Sequence, residues 1–270
     1  MIASTVLIMQ AVAAAFAPPL DTRITVRSEM RRTDNGVSRR FAASRTVVFT
    51  RREDGFRATV TLEAAEAEEP GDDPTAMFRA AFSRLAGRRV VFDLDRDGAV
   101  IAIADAAALW AALLDGIRSL APTGGSATER GRAARIAAVV AALNALPDAS
   151  RRSIIASLLT PLIATDVARG GAQSPQPVRV PAASAFGATQ IDGVRSVRLA
   201  ADTLEVRTAA EGPVRLRGPD GIVDGRIAVE MRRIVERGSG LVVRSEETVR
   251  TRTGTEGAAQ ERVTTTRLIF

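Results

Sequence analysis

Three aspartates at alternate positions, Asp93, Asp95 and Asp97, stand directly before Gly98. Alternate carboxylates followed by a glycine open a calcium loop, in which the carboxylates ligate one ion and the glycine permits the sharp turn. The pattern breaks where it should be strongest: the position that would supply the bidentate glutamate is Ala104, and the flanks read as strands rather than helices. A hairpin with polar residues on its wet face accounts for the segment, and no metal site is expected. The other available chemistry is acid–base catalysis by Glu205, Glu230, Glu246 or Glu247, which would make the protein a carboxylate-dependent hydrolase. Glu246 and Glu247 are neighbours and point to opposite faces of an extended strand, so they do not form a dyad with each other. Glutamate opposite arginine is the usual decoration of a solvated sheet, and the chain is read as non-enzymatic.

The composition narrows the chemistry further. Among 270 residues there is no His, Cys or Tyr, and all 37 basic residues are Arg. Thiolate and imidazole metal sites, cysteine nucleophiles, Ser-His-Asp triads, Schiff bases and the phosphate-loop lysine are all excluded. No cofactor is expected. The net charge of +6 is modest for this length, and with nothing titrating between carboxylate and guanidinium even that surplus makes the isoelectric point very alkaline. Arginine pairs such as Arg31-Arg32 and Arg232-Arg233 split across the two faces of a strand, and aromatic residues make up only 4%. Neither a basic patch nor a stacking platform follows, so nucleic acid is not an expected partner.

The elements that position these residues fall into three blocks within one domain, 18–270. In the first, 18–104, Ile24, Val26, Ser28 and Met30 alternate with polar residues, Asn35-Gly36 offers a tight turn, and a long strand follows around Val37 to Arg52. Asp54-Gly55 turns the chain into Phe56, Ala58, Val60 and Leu62. The acidic run from Glu63 to Asp73 reads as a solvated connection. Asp73-Pro74 then opens a helix to about Ala86, and a hairpin from Val90 to Ile103 closes the block.

The middle block, 105–168, is helical and apolar. Asp105 is placed as the cap of a helix to about Leu120, a second helix is read from about Thr128 to Leu146, and a third starts near Ala149 with Pro161 kinking or ending it. Both later helices are expected to be buried, and neither is long enough for a permanent transmembrane span. The last block, 169–270, is a second strand meander, with turns read at Asp192-Gly193, Glu211-Gly212, Asp224-Gly225 and Gly238-Ser239-Gly240. The terminal Phe270 is read as packing into the domain's own sheet.

Strands, then helices, then strands predict an α+β fold in which a curved antiparallel β-sheet of two meanders packs around the central helical block. Such a sheet can leave an apolar cavity beneath its helices. Its expected lining is Phe49, Phe56 and Val60 from the strands, Trp110, Leu113, Leu114 and Ile117 from the first middle helix, and Ile154 and Leu158 from the third. If these residues fill the space themselves, the protein is a packed one with a protein-interaction role on its surface.

The N-terminus adds a compartment. Ile2 to Ala17 is an uncharged, mostly apolar run of 16 residues, short of the roughly 20 that span a bilayer, and its small residues suit export cleavage after Ala13, Ala15 or Ala17. Segment 1–17 is read as a signal peptide and the protein as periplasmic or secreted, although the run lacks the basic residues that usually precede such a signal. With export, strands ordered around helices, and the closing hairpin Arg226 to Val235, Gly238-Ser239-Gly240 and Leu241 to Glu246, the chain resembles the periplasmic half-barrel proteins typified by the bacterial outer-membrane lipoprotein carrier family. The resemblance is architectural and rests on no motif. It implies a non-enzymatic cell-envelope protein that binds or shuttles a lipid or lipoprotein acyl chain, with an envelope protein as a further partner.

Overall fold

The computed structural model describes residues 15–34, 36–67, 74–170, 175–184, 187–218, 221–253 and 259–269. The period-two segments form strands β1 (Ile24–Asp34), β2 (Val37–Arg52) and β3 (Gly55–Ala67). Helix α1 (Pro74–Ser83) leads to the hairpin β4 (Arg89–Leu94) and β5 (Val100–Ile103). Helices α2 (Ala106–Arg118), α3 (Ala127–Asn144), α4 (Asp148–Ala156) and α5 (Thr165–Gly170) follow, with a 3-10 turn at Thr160–Leu162 between the last two. The chain ends in β6 (Gln176–Ser184), β7 (Gly187–Ala200), β8 (Thr203–Gly218), β9 (Gly221–Glu236), β10 (Val242–Thr253) and β11 (Ala259–Ile269).

All eleven strands join one antiparallel sheet in the order β5-β4-β3-β2-β1-β11-β10-β9-β8-β7-β6. The two meanders meet where the first strand pairs with the last, from Thr25 opposite Ile269 to Asp34 opposite Gln260. This is the predicted α+β fold, a curved sheet with its helices on one side. Alternation fixes which side. On β8 the buried residues Leu204, Val206, Ala210 and Val214 share one face, as do Ile227, Val229 and Val235 on β9.

The inner face is covered in two ways. Over β1 to β5, helices supply the cover, and one large cluster joins Phe49, Phe92 and Leu94 to Leu109, Trp110 and Leu159. Near the end of the helical block, Ala164 and Val167 cover Leu204, Val206, Val235 and Val242. Beyond them the same face is closed by the sheet itself, as β6 approaches β8 across β7 and Val180, Ile191, Ala210 and Ile227 bury one another.

Several local readings need correction. The pairs Asp192-Gly193, Glu211-Gly212 and Asp224-Gly225 lie inside β7, β8 and β9 rather than at turns. Two of these glycines serve close approach. A Cβ at Gly193 would sit 2.6 Å from the Ala209 carbonyl oxygen, and one at Gly212 would sit 2.9 Å from Ile191 Cγ2. Missing side chains here let the strands curl inward.

The acidic run is partly strand, because β3 continues to Ala67 by pairing with Phe41 to Ser44 beyond a bulge at Ser44/Arg45. Helix α1 ends at Ser83, three residues early, since Ala86 bridges to Leu62 and Gly87 takes a positive φ of 73°. Asp105 holds the cap position of α2 but in a left-handed conformation, and its side chain makes no cap bond. Helix α3 is not buried: only Ile136 and Val140 are, and its start is fixed by a capping box between Ser126 and Glu129. Helix α4 stops at Ala156, ahead of Pro161, which lies in the 3-10 turn. No helix among the described residues is long and apolar enough to cross a membrane. Asp73 and Phe270 lie outside the described residues.

Candidate ligand-binding site

The nine residues expected to line a cavity belong to one apolar cluster. Phe49, Phe56 and Val60 rise from β2 and β3, while Trp110, Leu113, Leu114 and Ile117 form one stripe of α2. Leu158 is buried beside them, and Ile154 packs against the cluster's edge. Phe16, just before the first strand, joins them: its ring meets Phe49 and Phe56 edge-on, with centroids 5.8 and 5.0 Å away. The Ala17 N–H donates to the Ser239 carbonyl at 3.0 Å, tying this segment to the β9–β10 turn. Gly116 faces the Ala80 carbonyl of α1 so closely that no Cβ would fit, which lets the two helices cross in contact.

Of the nine, Trp110 and Leu114 also border open space. A cleft of about 470 Å³ lies between α2 and α4, within the range of small-molecule sites. Its apolar wall is Trp110, Leu114 and Ile155, with Ala107 and Ala111 leaving room along α2. Arg118, Arg151 and Arg152 stand at the polar side with Asp148. Arg118 pairs with Asp115 at 2.6 Å on its own helix. Arg151 donates to the Asn144 carbonyl at the end of α3 at 2.6 Å and approaches Asp148 at 3.4 Å. Two buried donors of the lining have no hydrogen-bond partner, the Trp110 indole N–H and the Arg151 Nε. An unpaired buried donor costs about 1–3 kcal/mol.

Two other polar features mark the inner face. Asp166 on α5 accepts from Arg233 at 3.0 and 2.5 Å and from Arg195 at 2.9 Å. Arg195 also donates to Gln176, and its side chain is only 7% exposed against 40% for Asp166. Burial pushes the Asp166 carboxyl up, but the two guanidinium groups outweigh it and hold the group below the usual carboxylate range. This clamp pins α5 to β7 and β9. Arg45, buried on β2, donates to Ser28 at 3.1 Å, and desolvation lowers its pKa to about 10, so it stays charged at neutral pH.

Two candidate acids of the outer face, Glu205 and Glu230, are engaged with arginine. Glu205 accepts from Arg207 at 2.9 Å and Arg232 at 2.6 Å, which lower its pKa. A general acid at neutral pH needs the opposite shift. Glu230 pairs with Arg250 at 3.1 Å. Glu246 and Glu230 both border a shallow depression of about 610 Å³ on this face, while Glu247 points inward. Asp93 is held by Arg52 and by Arg57, and Asp95 accepts from the N–H groups of Asp97 and Ala99 at 3.0 and 2.8 Å, shaping the hairpin turn. Among the described residues no group of three His, Cys, Asp or Glu side chains could hold a metal ion.

The α2–α4 cleft was not legible in advance, since its arginines look in sequence like ordinary surface charges. Asp166 was missed because α5 is only six residues long. No protein family matches the chain, and no curated protein matches it. Among solved structures it is similar to one described as showing lipid–protein interactions in lipovitellin. There the match has 11% identity and a TM-score of 0.48, over 94% of this chain and 25% of that chain, so this chain spans a quarter of that protein's.

Proposed function

We propose that the protein is a non-enzymatic, exported cell-envelope protein that binds a lipid or other hydrophobic ligand at its helical block. The observation that carries this reading is the α2–α4 cleft, whose wall of Trp110, Leu114 and Ile155 is continuous with the main core. An apolar wall with a few polar groups at one side is the usual build of a small-molecule site. The residues named from sequence fill the contact between sheet and helices, so the ligand sits on the far side of α2 rather than under the sheet. A lipid or lipoprotein acyl chain fits the wall. The uncharged run ahead of Phe16 supports export to the periplasm or beyond. Because Phe16 packs on Phe49 and Phe56, cleavage after Ala13 or Ala15 keeps the core whole, whereas cleavage after Ala17 removes a core ring.

The test is titration with N-phenylnaphthylamine, a neutral apolar fluorophore that brightens when bound. Saturable brightening is expected in the native protein and should be lost in Ala111→Phe, which fills the cleft from an exposed position. Brightening that is absent, or unchanged in the variant, contradicts the reading. A surface protein-interaction role is the second reading, favoured by the filled contact between sheet and helices. Capture of a defined envelope protein that survives Ala111→Phe would support it. A hydrolase role would require turnover that falls when Glu205, Glu230 or Glu246 is changed to Gln.

A further inference from the structure

We infer that the α2–α4 cleft selects ligands with a compact anionic head and a single alkyl chain, a carboxylate or a phosphate monoester. This rests on the hydrophobic-ligand reading above and adds the chemical class of the head group.

The charge balance around the cleft is one-sided. Arg118, Arg151 and Arg152 border it against the single carboxylate of Asp148. Counting Asp115, which pairs with Arg118 from outside the lining, cations still outnumber carboxylates three to two. The guanidinium groups stand next to an apolar wall, so a ligand that satisfied both would be amphiphilic, its chain along Trp110, Leu114 and Ile155 and its head among the arginines. A planar guanidinium matches the paired oxygens of carboxylate and phosphate better than any neutral head group.

The hydrogen-bond inventory points the same way. The Trp110 indole N–H and the Arg151 Nε–H are buried without an acceptor. Both groups can only donate. These two donors lack an acceptor, and an oxyanion brings several. The other Arg151 nitrogens are engaged by the Asn144 carbonyl and Asp148, which fixes the guanidinium before any ligand arrives. Prior fixation of this kind reduces the entropy lost on binding.

The protein carries its own reporter. Trp110 is the sole tryptophan, and there is no tyrosine, so intrinsic emission reads the cleft alone. The full chain is titrated with dibromostearate, a dibrominated stearoyl lysophosphatidate and dibromostearyl alcohol, whose bromines quench a contacting indole. At least one anionic probe should bind about tenfold tighter than the alcohol or better. Arg152→Gln should shrink that ratio, and Arg151→Gln with Arg152→Gln should bring it close to one. Arg96→Gln, in the distant β4–β5 turn, should leave it unchanged. Arg152 is exposed, so its single variant reports on binding even if changing Arg151 disturbs the end of α3. Equal affinity for alcohol and anions overturns the inference, as does a ratio untouched by the arginine changes, and both outcomes leave hydrophobic binding intact. Failure of all three probes to quench overturns both. The two anionic arms then tell carboxylate from phosphate.

Discussion

The two ends of the sheet bury their inner face by different means. From β1 to β5 the cover is a helical layer, and the contact is built from large side chains, with Phe49, Phe92 and Leu85 almost fully enclosed. From β6 to β9 most of the cover is the neighbouring strand, and the residues are smaller: Val180, Ala182, Ala210 and Val214, with Gly193 and Gly212 where strands press closest. A sheet that must curl on itself has room for glycine and alanine, whereas one roofed by helices has space for rings. The curled end carries a ladder of ion pairs on its outer face, among them Glu211 with Arg226 and Glu230 with Arg250. The helical end holds the α2–α4 cleft, because two helices packed side by side on a sheet leave a groove between them.

That contrast can be broken most severely from the helical end. Phe49→Ala should cost about 3–5 kcal/mol, seen as a lower urea midpoint, and more than Ile227→Ala in the curled end. Equal losses would mean the two cores are alike. Next in size, Gly193→Ala should cost about 1–3 kcal/mol, because the new methyl meets the Ala209 carbonyl and Ala210. An unchanged melting temperature would mean that the curl does not depend on that approach.

Asp166→Asn tests the seam between the halves. Its folded pKa lies below the ordinary value of about 3.9, so its stabilising contribution is complete above that value and is lost as pH falls through the folded one. Because the carboxylate is 40% exposed, the variant should be weaker by only about 1–2 kcal/mol at neutral pH. It should converge with the native protein in strong acid. A gap that persists there would assign the effect to packing instead. Smallest of all, Glu230→Gln on the outer face should shift stability by under about 0.5 kcal/mol and even less at high salt.

Much of this was readable from sequence where the signal is local. Turn dipeptides at both ends of β2 mark its limits at Val37 and Arg52, and the spacing of Leu109, Leu113 and Ile117 marks α2. Misreadings came where tertiary contact decides. Asp-Gly at 192–193 and at 224–225 has the same letters as Asp54-Gly55, where Gly55 has a positive φ of 154°, yet both lie within strands, and at Gly193 the neighbouring strand takes the space of a side chain. Helix α3 reads as apolar through its alanines, but small residues count as hydrophobic without being buried. The nine residues expected to line a cavity lie in or against one apolar cluster. Their packing against one another, and the cleft opening behind Trp110 and Leu114, depend on how α4 lies against α2, which no spacing in the sequence encodes.

Whether this protein carries a hydrophobic ligand can be read by native mass spectrometry of the chain purified from its own host without detergent. The expected spectrum shows a species heavier than the mature chain by the mass of one amphiphile, released on denaturation and absent from Ala111→Phe prepared in parallel. A single unliganded mass in repeated preparations, identical for both proteins, would contradict it.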